Sequence, residues 1–323
     1  MLASTLTDNL LTAPVVAFVV ALLATLARFE LRLPEALYPI LSTFLLLAIG
    51  LKGGTALADT SLGDIWQPII ATLVLGVVTP LVAFGLLRAG RFDVVNAAAL
   101  AAHYGSVSAV TFTVVLASLD SRGLSYEGFV AGLLAILEVI GIVVALYLAK
   151  RGQRSDDGMG DEGWRHALTD VVRGRSITLL LAGLVIGAVV GQERLAPTDP
   201  LFRGLFAGAL VLFLIEMGAV AAERLRDIRR AGPRIVVFGV VIPLINGVLG
   251  AVGGSLAGLS TGGTAVMATL AASASYIAAP AAVRIALPQA SPGLYVTASL
   301  GITFPFNIAL GIPLYIALAE ALT

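Results

Sequence analysis

Apolar residues in this chain fall into ten runs of about twenty, divided by short polar or charged stretches. Their approximate limits are 11–29, 36–51, 66–87, 94–119, 126–149, 176–192, 202–222, 234–257, 263–287 and 293–320. Roughly 20 apolar residues cover the hydrocarbon core of a bilayer as a helix. Strands alternating apolar and polar residues are absent, and a backbone in lipid must satisfy its own hydrogen bonds. The pattern therefore predicts an all-α integral membrane protein of ten transmembrane helices. The first run follows Asp8 with no Lys or Arg before it, so it reads as a retained span and not a signal peptide.

The longest charged stretch, Lys150 to Arg175, holds six basic and five acidic residues. It divides the chain into a first five-helix repeat at 1–149, a linker at 150–175 and a second five-helix repeat at 176–323. Basic loops stay on the cytoplasmic side. With ten spans, one set of loops carries 16 of the 20 basic residues, and the opposite set holds only Lys52, Arg122, Arg194 and Arg203. This split puts the linker in the cytoplasm and both termini outside a cytoplasmic membrane. Trp164 and His166 in the linker suggest an interfacial amphipathic segment.

Composition narrows the chemistry. The chain is 58% hydrophobic and 12% charged, with a mean hydropathy of +0.98. Zero cysteines exclude disulfides, thiol catalysis and thiolate metal sites, and two histidines disfavour a His-rich metal site. A formal net charge of zero gives no basic surface for nucleic acid.

Compared at an offset near 168 residues, the two halves match in order. Phe44–Gly50 aligns with Leu212–Gly218, GSVS at Gly105–Ser108 with SAS at Ser273–Ser275, and LYLA at Leu146–Ala149 with LYIA at Leu314–Ala317. Five spans per half is an odd number, so the repeats would be inverted in the bilayer. Inverted repeats with interrupted helices in corresponding places are a transporter signature, with the site near midplane.

The interruptions are visible in spans four and nine. HYGSVSAVTFT, His103 to Thr113, and TLAASASYIAAP, Thr269 to Pro280, both place small hydroxyl residues at membrane depth. Gly105 weakens a helix, and Pro280 lacks an amide hydrogen and would free an upstream carbonyl. A broken helix offers amides to an anion and carbonyls to Na⁺. The candidate site is Gly105, Ser106, Ser108, Thr111, Ser273, Ser275 and Tyr276, with Na⁺ near Ser108 and Ser275. The bland alternative is that small residues only allow close packing while their hydroxyls bond the preceding turn.

These residues, together with LPEALYPI from Leu33, IGLKGG from Ile49, LSYEGF from Leu124, DPLFRGL from Asp199 and PAAVRIALPQASPGLY from Pro280, carry a resemblance. Across nearly its whole length the chain is similar to the sodium-dependent bicarbonate transporters described from cyanobacteria. The resemblance implies two inverted repeats, a core domain moving against a scaffold (gate) domain, a homotrimer and Na⁺-coupled bicarbonate uptake. It also implies a PII-like regulator on the cytoplasmic face. Where the family pattern is close to SSSD followed by Gly-Pro-Pro, this chain reads SASY and AAP, so Tyr276 stands in place of an acid. That removes a hard oxygen ligand and its charge. The linker is also short for the family.

Other polar residues each carry two readings. Glu138 lies mid-span and either serves ion coupling or is a protonated acid bonded between helices; its partner in the second repeat is Asn307. Glu216 reads as a structural ion pair with basic loop residues. Arg284 either attracts an anion or snorkels to the interface. Asn96 and Asn246 line a path or bond between helices, and His103 shuttles protons or is packed and neutral.

An enzyme is not expected: Ser106 with His103 is the one nucleophile and base pair, without a G-x-S-x-G elbow or an orienting acid. No cofactor is expected beyond Na⁺ as the coupling ion. The reading is a secondary transporter for Na⁺-coupled bicarbonate uptake by an elevator-like alternating access. Another small anion or carboxylate without Na⁺ coupling, or an anion channel, is the alternative.

Overall fold

A computed structural model describes residues 11–34, 36–58, 60–152, 169, 172–226, 228 and 232–323. Most of the 150–175 linker, with Trp164 and His166, lies outside the described residues. The described residues form helices joined by short non-helical segments, without strands. In order the helices are α1 Ala13–Leu26, α2 Leu37–Ala58, α3 Leu62–Ala89, α4 Val94–Gly105, α5 Ala109–Ser121, α6 Val130–Gly152 and α7 Arg175–Val190. A single turn, α8 Gln192–Leu195, precedes α9 Phe206–Arg226, α10 Pro233–Leu256, α11 Thr261–Ala272, α12 Ala278–Ala286 and the long α13 Pro292–Leu322.

Among the described residues seven helical segments are long and apolar enough to cross a membrane: α2, α3, α4 with α5, α6, α9, α10 and α13. The other three expected spans are shorter or broken. α1 has 14 residues, α7 has 16 and bends by 113° into the segment 192–198, and the ninth run is split between α11 and α12. The protein is a multi-pass membrane protein. Large apolar side chains such as Val189 and Leu256, 78% and 81% exposed, point outward where lipid would replace water.

The helices pack in two groups. In one, α1 lies along α9 and α2 along α7, with α9 also touching α2. The other is built on α3, α4, α6, α10, α11 and the end of α13, with α5 against α11. An ion pair fixes the first group at one end: Arg32 lies 3.2 Å from Glu216 and 3.3 Å from Glu223, and Glu216 also accepts the Leu33 amide at 2.8 Å. Glu216 is thus the structural partner of a loop arginine, as its position predicts.

The α2–α7 seam depends on four glycines. A Cβ on Gly50 would come within 2.6 Å of the Leu180 carbonyl, and one on Gly54 within 2.2 Å of the Leu184 carbonyl. Gly183 and Gly187 face them, their own Cβ positions 2.8 Å from Gly50 Cα and 2.4 Å from the Leu51 carbonyl. Small residues four apart on both helices let the backbones touch, which is how helices associate where no hydrophobic drive separates them from lipid. Gly54→Val is expected to cost about 1–3 kcal/mol by overpacking, lowering the unfolding midpoint in detergent. Gly85→Ala, with nothing within 4 Å of its Cβ position, is expected to leave that midpoint in place.

Candidate functional site

Both interruptions expected from the hydroxyl clusters are present, and they meet. α4 ends at Gly105, the chain runs extended through Ser106 to Ser108, and α5 starts at Ala109. α11 ends at Ala272, Ser273 is extended, and α12 starts at Ala278. The Ser275 amide donates to the His103 carbonyl at 2.8 Å. The Ser108 amide donates to Ser273 Oγ at 2.9 Å, while Ser273 Oγ donates to the Leu270 carbonyl at 2.8 Å. Each break thereby supplies partners that the other has lost to interruption, a necessity at a depth without water.

The serines differ in what they leave free. Ser108 Oγ caps α5 by accepting the Thr111 amide at 3.1 Å. Ser275 Oγ accepts the Ala279 amide at 3.2 Å at the head of α12. Each of these two hydroxyls accepts one bond from an amide and retains a hydrogen to donate. Ser106 Oγ is buried without a hydrogen-bond partner. Thr111 is 1% exposed. Half-buried Tyr276 packs its ring edge-on to Phe304 at 5.4 Å between centroids, and its hydroxyl is buried without a hydrogen-bond partner.

Two expectations change in detail. Pro280 is not the point of interruption: it is the third residue of α12, in the first turn, where a missing amide leaves no broken bond. The break lies upstream, over Ser273–Ile277. Gly105 acts through closeness more than through weakness. A Cβ on it would strike the Pro80 ring at 2.6 Å, and a Cβ on Gly141 of α6 would lie 1.8 Å from the Gly105 carbonyl.

That approach of α6 places Glu138, one turn earlier, in the same packed interior. Glu138 is 3% exposed and its Oε2 has no hydrogen-bond partner. Asn307 is engaged on both sides of its amide: its nitrogen donates to the Ala272 carbonyl at 2.9 Å and its oxygen accepts from Tyr315 at 3.2 Å. Asn307 holds the cut end of α11. Asn246 donates to the Tyr104 carbonyl at 3.4 Å, near the cut end of α4. Asn96 accepts the Ser291 amide at 2.9 Å and donates to Asp93, so it ties elements together. Arg284 is exposed on α12.

His103 and Ser106 form no catalytic pair. The ring nitrogen Nδ1 of His103 lies 2.7 Å from the Ala99 carbonyl, the ring stacks on Tyr295 at 4.5 Å, and neither Nε2 nor Ser106 Oγ has a hydrogen-bond partner. Among the described residues no three His, Cys, Asp or Glu gather as a metal cluster.

Sequence reasoning missed two features. One is the pair of π-helical stretches in α13, Thr297–Thr303 and Asn307–Gly311, the second opening at Asn307. Pro305 and Pro313, which cannot donate to the ladder, were the available signal. The other is a polar cluster at Lys52, Asp120 and Tyr126.

Interrupted helices crossing inside an apolar helical bundle define a membrane protein with a polar site at depth, as in transporters. The chain belongs to the Na⁺-dependent bicarbonate transporter superfamily, whose family model matches residues 13–320. No curated protein matches the chain.

The crossing makes a contrast among the serines testable. Ser273→Ala removes the acceptor of a buried amide and is expected to cost about 1–3 kcal/mol. Ser106→Ala removes no hydrogen bond, only a buried unpaired hydroxyl, and is expected to leave stability unchanged or raise it. Equal losses in denaturant or thermal unfolding would contradict the hydrogen-bond assignment.

Proposed function

We propose that the chain is a Na⁺-coupled symporter that takes bicarbonate up across the cytoplasmic membrane. The observation that carries this is the crossing of the two breaks, which leaves Ser108 and Ser275 as hydroxyl donors at the heads of α5 and α12. Two donors on two helix N-termini suit a compact anion with three oxygens. The cut ends of α4 and α11 bring carbonyls and hydroxyls to the same place, and these would hold Na⁺ near Ser108 and Ser275. Gly105, Ser106, Thr111, Ser273 and Tyr276 complete the surroundings. Glu138 supplies a compensating charge or a proton, and Asn307 acts by holding the α11 end.

Ten spans in two inverted repeats, with both termini outside, fit the paired breaks and the basic-residue split. In this reading the group built on α3, α4, α6, α10 and α11 is the core, sliding against a scaffold of α1, α2, α7 and α9 in an elevator-like alternating access. A homotrimer and a PII-like cytoplasmic regulator belong to the same reading. Tyr276, standing where the family pattern has an acid, favours a second reading: a small anion or carboxylate carried without Na⁺, by transport or as a channel.

Labelled bicarbonate uptake into proteoliposomes separates the two. An inward Na⁺ gradient is expected to drive accumulation that an equal K⁺ gradient does not, and no accumulation under either gradient would refute bicarbonate as cargo. Ser108→Ala and Ser275→Ala are each expected to cut the rate by about 10- to 100-fold, the loss of one or two charge-assisted hydrogen bonds, while trimer assembly stays intact.

A further inference from the structure

Lys52 joins the two helix groups. It stands on α2, and its ammonium lies 3.2 and 3.4 Å from the two carboxylate oxygens of Asp120 on α5. It also lies 2.6 Å from the Tyr126 hydroxyl in the α5–α6 loop. α5 is the same half-helix whose head carries Ser108, so this contact and the candidate site sit at opposite ends of one rigid element of 13 residues.

Two cavities of about 230 and 220 Å³ meet at this cluster, both lined by Ile49, Lys52, Leu116, Asp120 and Tyr126. The first reaches inward to Phe112, one helical turn from Ser108. The second opens toward Phe202, Arg203 and Phe206. Ser125 and Arg203 are the other polar residues of the two linings; the remaining wall residues on α2 and α5 are apolar, and apolar contact resists sliding without direction. The ion pair is directional: it is made in the register of α5 against α2 seen here, between two half-exposed side chains.

We propose that Lys52, Asp120 and Tyr126 form a gate on the route to the crossed breaks, in which Asp120 plugs an oxyanion contact made by the Lys52 ammonium and the Tyr126 hydroxyl. Both of those groups are donors toward an anion, and no other acid lines either cavity. When α5 moves, Asp120 leaves, and a small oxyanion such as bicarbonate replaces it before passing Phe112. The gate rests on the symporter reading for its cargo and on the two helix groups for its motion.

The cysteine-free sequence permits a direct test. Spin labels at Val189→Cys on α7 and Leu256→Cys on α10, both highly exposed, report the distance between the groups, with labelled chains diluted in unlabelled ones. Asp120→Asn and Lys52→Met each remove the ion pair, and each is expected to change the ratio of two distance populations by about two- to fivefold. The charge swap Lys52→Asp with Asp120→Lys is expected to restore the parent ratio. In uptake the two single variants should diverge: Asp120→Asn lowers the half-saturating bicarbonate concentration by removing the competitor, and Lys52→Met raises it by removing the contact. Unchanged distances in both variants, or half-saturation moving the same way in both, would overturn the gate. The distance measurement needs no cargo, so a parent chain that accumulates no bicarbonate refutes the symporter reading while the populations still decide whether the ion pair controls the motion.

Discussion

A helix that stops inside a bilayer leaves amides and carbonyls with no water to receive them. This constraint governs the centre of the molecule. Two helices stop there, and each is completed by the other: the Ser275 amide on the His103 carbonyl, the Ser108 amide on the Ser273 hydroxyl. Asn307 and Asn246 then cover the cut ends of α11 and α4 from neighbouring helices. The polar interior is an obligation of the fold before it is a site, and the proposed transport site would use what the obligation leaves over. Ser273 is spent on structure, whereas Ser108 and Ser275 keep a donor each.

The same division explains what could be read from the sequence. Helical segments follow the apolar runs because length and hydropathy set them, and both breaks fall where hydroxyl residues cluster beside glycine or proline, whereas isolated hydroxyls such as Thr72 and Thr79 bond the preceding turn of an unbroken helix. Pro280 misleads for a local reason: a proline marks a helix boundary without saying on which side the boundary lies, and here it starts α12. Glu216 was legible as an ion pair because its position near a basic end limits its partners to few. The roles of Ser273 and Asn307 were not legible, since each depends on a partner in another helix or across the break.

The Lys52 cluster was illegible for a further reason. Its members are 68 and 74 residues apart, and nothing in IGLKGG or LSYEGF taken separately shows that they face each other. The sequence shows which residues are polar at a given depth; only tertiary packing shows which of them share a wall.

The glycine seam between α2 and α7 has a mechanical consequence. Where main chain touches main chain, no side-chain rotamers intervene that could exchange, and atoms already at contact distance leave no room for shear. α2 and α7 therefore behave as one beam. The boundary facing α5 is lined by Ile49, Leu116 and Phe112, whose side chains can shift between rotamers as they pass one another. Stiffness in this molecule is distributed by residue size: rigid where glycine faces glycine, compliant where larger side chains meet, so a load applied across the membrane would be taken up along the compliant boundary and leave the beam straight.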